Sequence, residues 1–147
     1  MKIAIGSDHA GFRAKEALKG SLVSAGHQVE DLGTKSEDSC DYTDFSFAVA
    51  ERVAKGGAER GVILCGTGIG SAIAANKVKG IRAALVHDGF TAEMSRRHND
   101  ANVLVLGARV LAEERIKDLA KIWIETPFDG GRHERRVGKI GAYEKSC

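Results

Sequence analysis

The chain has 147 residues, 43% of them hydrophobic and 29% charged, and a formal net charge of only +2. These values suit a single globular domain with its own core and exclude any global field that would favour nucleic acid. Three cysteines, at 40, 65 and 147, are odd in number and widely spaced, which argues against a disulfide framework.

Strand-like and helix-like segments alternate along the chain. KIAIG (2–6) is a first short apolar run, and FRAKEALKGSLVSAG (12–26) places apolar residues on one helical face before Gly26. HQVEDLG (27–33) reads as a second strand and TKSEDSCDYTD as a polar loop. DFSFAVAERVAKGG (44–57) predicts a helix capped by Asp44 and ended by Gly56-Gly57. GVILC (61–65) is apolar throughout, as in a strand covered on both faces. SAIAANKV is the third helix, IRAALVH (81–87) the fourth strand, and DGFTAEMSRRH (88–98) a helix opened by Asp88. NVLVLG (102–107) is the fifth strand; LAEERIKDLAKIWIET (111–126) is a helix stopped by Pro127, the only proline. The basic tail, about 128–147, has room for one more helix after Gly130-Gly131. This alternation predicts an α/β fold: a five-stranded parallel, Rossmann-like sheet between two helical layers, without repeats or a linker. One domain spanning 1–147 is expected, with the tail completing its site or a dimer.

The ligand edge of such a sheet lies at the carboxyl ends of its strands. Cys65 ends the third strand, and Gly66, Gly68 and Gly70 follow. Their amides, with those of Ile69 and Ser71, open a helix and suit an anion or a thiolate, to which the Thr67 hydroxyl can add a hydrogen bond. The glycines read GTGIG and match neither the dinucleotide-binding nor the Walker pattern. A buried structural cysteine is the competing explanation. Asp8 and His9 follow the first strand; they suit sugar hydroxyls or a phosphate, although Asp8 equally suits a helix cap. His98 and Asn99 offer an acid/base and an amide, or simply a helix terminus. Arg109 lies just past the fifth strand. Arg132 and Arg136, four apart, share a helical face that suits phosphate oxygens or plain solvent.

The five histidines, at 9, 27, 87, 98 and 133, show no metal-ligand spacing, so neither a metal nor a cofactor is expected. Few aromatics, 5%, interleave the basic runs, which argues against RNA. No segment approaches the ~20 apolar residues of a membrane span, and the start lacks a signal peptide's pattern, so a cytoplasmic protein is expected.

SDHAG, DYTDF, CGTGIGSAIAANKVKGIRAALVHD, SRRHNDANVLVLGARV and GGRHERRV closely resemble the ribose-5-phosphate isomerase B family, which includes the galactose-6-phosphate isomerase subunits. The resemblance runs from Lys2 to about Ile140. It implies strand order 2-1-3-5-4 and a homodimer, paired into tetramers in some members. It also implies metal-free interconversion of ribose 5-phosphate and ribulose 5-phosphate through a cis-enediolate. By matching motif, Cys65 is the proton acceptor, assisted by Thr67, and the amides of Gly66, Thr67, Gly68, Ile69 and Gly70 hold the enediolate. His98 protonates the ring oxygen during ring opening. Asn99 and Asp8 bind substrate oxygens, and His9, Arg109, Arg132 and Arg136 hold the phosphate. The His-Asn pair and some arginines then come from the partner subunit. Allose, galactose and erythrulose phosphates are the alternative substrates; a noncatalytic phosphate- or nucleotide-binding module is the alternative of another class. Thr43 replaces a proline common in the family, a change in loop stiffness rather than chemistry.

Overall fold

The computed structural model describes all residues, 1–147. Its elements are β1 (Lys2–Ser7), α1 (Phe12–Ser24), β2 (Gln28–Asp31), α2 (Tyr42–Ala54), β3 (Arg60–Cys65), α3 (Ile69–Ala75), β4 (Ala83–Leu85), α4 (Gly89–Arg97), β5 (Val103–Gly107), α5 (Glu113–Glu125) and α6 (Arg132–Ser146). The five strands form one parallel sheet in the order β2-β1-β3-β5-β4. The three-layer α/β/α architecture expected from the alternation is present, and so is the strand order.

Strand alternation divides the core. Ile3, Ile5, Val62, Leu64, Leu104 and Leu106 point to one face, where Leu18, Leu22, Ile116, Leu119 and Trp123 of α1 and α5 cover them. Ala4, Ile63, Val103 and Val105 point to the other, under Val49, Ala50 and Val53 of α2 and Ala75 of α3. β1, β3 and β5 are therefore apolar on both sides, which is why they read as continuous hydrophobic runs.

Where boundaries differ from the sequence reading, three differences have a clear local reason. Helix α2 begins at Tyr42, so Thr43, expected in a loop, is its second residue, and Asp44 lies within its first turn and complements the helix dipole instead of capping it. Helix α3 begins at Ile69, because Gly68 already takes the left-handed conformation at φ +83°. Strand β4 is only three residues long. The Asn76 side chain bonds the Ala83 backbone on both its N–H and its C=O, each at 2.9 Å, and so occupies the edge. The predicted Asp88 cap is present: its carboxylate accepts the Thr91 N–H at 2.7 Å. No helix is long and apolar enough to cross a membrane.

Candidate active site

β1 and β3 are neighbours in the middle of the sheet, so the segments that follow them open side by side at its carboxyl edge. After β3 the chain must turn at once into α3. Gly68 makes that turn, and a Cβ there would lie 2.4 Å from the Leu85 side chain. The turn aims the Gly68 N–H at the Cys65 sulfur, with a donor–acceptor distance of 3.2 Å. Cys65 is buried, yet its sulfur lies beneath the glycine loop and not in the apolar core between the layers. An N–H aimed at sulfur is placed to stabilise negative charge there.

The expected five-amide cradle is partly occupied by the loop itself. Gly68 donates to sulfur, and Ile69 donates to the Thr67 hydroxyl at 3.3 Å. The amides of Gly66, Thr67, Gly70 and Ser71 have no acceptor within the chain. These are the orphan donors of a turn and a helix start, and they remain available to an oxyanion. The Thr67 hydroxyl is thus engaged with the loop; its own proton is uncommitted.

The neighbouring predicted residues converge here. Asp8 is buried, and one of its oxygens accepts the Gly11 N–H at 3.1 Å. It organises the turn before α1, whose N-cap residue is Gly11, and its second oxygen is left for a ligand. The His9 Nδ1 accepts the Cys40 N–H at 3.2 Å, which puts the proton of the neutral ring on Nε2. The Arg109 backbone donates to the Gly66 carbonyl at 2.9 Å. Its guanidinium lies beside Gly66 and pairs with no carboxylate. Two contacts were not apparent from the sequence. The Tyr42 ring lies so close against Gly70 that a Cβ there would be 2.6 Å from it. The hydroxyls of Ser7 and Ser71 are buried without a partner. Only the position of DYTDF on the loop after β2 hinted at Tyr42.

His98, Asn99, Arg132 and Arg136 are at the opposite edge. Helix α4 runs back along the sheet and ends at His98, just before β5 begins. Val103, the first residue of β5, is level with Gly61, whereas Cys65 is level with Gly107. At about 3.3 Å per residue, the four steps between them separate the two groups by roughly 13 Å of strand. One chain therefore cannot bring its own His98 to its own Cys65. The lower group is nonetheless ordered. Asp100, left-handed at φ 46°, closes the His98-Asn99 turn, and Arg82 and Arg96 hold its carboxylate. Arg132 and Arg136 are exposed on the first turns of α6 and have no acidic partner. His133, buried between them in sequence, stacks on His98 with ring centroids 4.1 Å apart and planes 6° from parallel. Burial, with neighbouring His98, Arg132 and Arg136, lowers the His133 ring from its ordinary value and favours the neutral form.

Donor atoms of His98, Asp129 and His133 all fall within 4.8 Å of one another. Parallel rings, however, direct their in-plane lone pairs side by side and not toward a common point. Both Asp129 oxygens are already engaged by Arg97, each at 3.1 Å. The group is a stacked pair beside an ion pair, not a coordination shell.

The family model of the ribose/galactose isomerases matches residues 3–140. The chain is 44% identical to ribose-5-phosphate isomerase B of Escherichia coli, over 98% of this chain and 97% of that one. It is 44% identical to D-erythrulose-4-phosphate isomerase 2 of Mycolicibacterium smegmatis, with coverage of 98% and 97%. Among solved structures, Clostridium thermocellum ribose-5-phosphate isomerase B superposes with a TM-score of 0.98 at 50% identity, covering 99% of both chains.

Proposed function

The chain belongs to the ribose/galactose isomerase family, and we propose that it interconverts ribose 5-phosphate and ribulose 5-phosphate through a cis-enediolate with Cys65 as the base. The observation that carries this reading is the buried Cys65 sulfur receiving the Gly68 N–H below a set of open amides.

The ring form of the aldose opens first. The C1–O4 bond breaks, O4 takes a proton from His98, and the C1 hydroxyl gives its proton to water, which returns one to His98, leaving the aldehyde. The Cys65 thiolate then removes the proton on C2. The electron pair of that C–H bond forms the C1–C2 double bond, and charge moves onto O1. Amides preorganised at that oxygen supply several kcal/mol, since removing one such donor elsewhere costs roughly 3 kcal/mol. The same sulfur returns the proton to C1. A proton passes from the C2 hydroxyl to O1, and the ketose is complete. Asp8 and Asn99 hold hydroxyls, and Thr67 steadies the loop. His9, Arg109, Arg132 and Arg136 hold the phosphate, which places C1 and C2 over the sulfur.

The two groups of residues lie at opposite edges of one sheet, so the site is composite. A homodimer about a two-fold axis sets the lower edge of each copy against the upper edge of the other and makes two identical sites. The whole chain is one domain, and its tail from about 128 completes the neighbour's site. Three free thiols suit a reducing cytoplasm.

The relative that acts on D-erythrulose 4-phosphate supports a second substrate for the same chemistry. A panel of four-, five- and six-carbon sugar phosphates, assayed for aldose–ketose conversion, separates the two. Turnover highest on ribose 5-phosphate supports the first reading, and turnover highest on the four-carbon substrate supports the second. Conversion of none of them overturns both.

A further inference from the structure

The His98 side chain takes part in no hydrogen bond within the chain; what fixes its plane is the ring of His133. His133 reaches that position through a braced turn. The Asp129 carboxylate engages the guanidinium of Arg97, the residue before His98, through both oxygens. The Asp129 N–H also donates to the Arg97 carbonyl at 3.0 Å. Gly130 and Gly131, both at positive φ (65° and 55°), then fold the chain back into α6. The His133 N–H bonds the Gly130 carbonyl at 3.1 Å, and the residue is 8% exposed.

We propose that His133 is a positioning residue for ring opening, holding the His98 ring by stacking so that His98 can deliver a proton to the sugar ring oxygen. This rests on the reading of His98 as the group that protonates that oxygen. Two stacked imidazoles beside Arg97, Arg132 and Arg136, with one carboxylate at Asp129, disfavour two protons on the pair. His133 is the more buried ring, and that burial with the surrounding cations favours its neutral form.

The consequence concerns one step only. A five-carbon aldose 5-phosphate closes to a furanose through its free C4 hydroxyl. A four-carbon aldose 4-phosphate has that oxygen esterified and cannot form the ring. A residue that serves ring opening therefore matters for the first substrate and not for the second. A merely structural residue matters for both.

The experiment compares wild type, His133→Ala, His133→Phe and His98→Ala. It measures kcat/KM on ribose 5-phosphate and on erythrose 4-phosphate, with exchange of solvent deuterium into C1 of ribulose 5-phosphate as a second readout that needs no ring. His133→Ala is expected to lower kcat/KM on ribose 5-phosphate by roughly ten- to a hundredfold, with less than about a threefold change in the ring-free readouts. His133→Phe, which keeps a flat ring for stacking, recovers most of the loss. An equal loss in all readouts, no loss in any, or a Phe variant as poor as the Ala variant overturns the proposal. His98→Ala separates this from the reading beneath it. If that variant loses ribose 5-phosphate turnover selectively and His133→Ala does not, the stacking role alone is wrong. If His98→Ala shows no selective loss, the assignment of His98 is wrong.

Discussion

At residue 65 a burial value alone would suggest an inert thiol, because small apolar cysteines are commonly enclosed. The decisive fact is the direction of the Gly68 N–H, 3.2 Å from the sulfur, in a loop whose next donors are unoccupied. Cys65→Ala should lower kcat by at least about a thousandfold, within the range of a general base, while KM changes little. Steady-state kinetics checks this, with circular dichroism confirming the fold. Gly68→Ala tests the donor and not the acceptor. Its φ of +83° and the 2.4 Å approach to Leu85 force the loop to shift. The N–H then leaves the sulfur, and kcat should fall by about ten- to a hundredfold, a smaller loss than removal of the base. A Gly68→Ala enzyme with wild-type kcat would remove the role given to this amide.

At the scale of elements, the helix α1 and strand β2 are joined by charge. Lys15 is fully buried yet bonds Asp31 at 2.6 Å and also contacts Glu16, while Lys19 reaches the same Asp31 oxygen at 2.9 Å. Burial opposes charge on Asp31, but hydrogen bonds from Lys15, Lys19 and the Gly33 N–H outweigh it and hold the carboxyl well below the usual range. A carboxyl depressed in the folded state stabilises fully above its unfolded pKa, about 4, and that stability disappears as pH falls through the folded value. Asp31→Asn leaves Lys15 with a weaker set of partners and should destabilise by about 2–3 kcal/mol at neutral pH. Denaturant titration should show the gap between variant and wild type closing as the pH drops below about 4; a gap constant with pH would contradict the assignment. Most elements were legible in the sequence because β1, β3 and β5 carry apolar residues on both faces, and α1 and α5 carry them on one. The ends were less legible where tertiary contacts set them. Asn76 shortens β4 from a distance of seven residues, and Gly68 moves the start of α3. The same limit applies to the site. Cys65, the glycines, Asp8, His9 and Arg109 were legible because strand ends place them at one edge. Tyr42 and the His98–His133 stack depend on chain segments meeting in space, and no local pattern encodes that.

The whole molecule is divided: Cys65 and the open amides of the glycine loop occupy one edge of the sheet, and His98 with Arg132 and Arg136 occupies the other. Helix α6 touches the rest of the chain lightly, burying only His133 and bonding Gly80 through Glu144 at 2.9 Å. It leaves Ile140 and Tyr143 exposed, as α3 leaves Ile69 and Ile73. The proposed homodimer would cover these surfaces. The central claim is that each site combines Cys65 of one copy with His98 of the other, and subunit mixing tests it most directly. Purified Cys65→Ala and His98→Ala proteins, each of low activity alone on ribose 5-phosphate, are exchanged in equal amounts and assayed, with dimer formation confirmed by mass. Random pairing makes half of the dimers mixed, and each mixed dimer holds one intact site, so activity should rise to roughly a quarter of wild type. Mixed dimers that form and recover no activity would contradict the composite site.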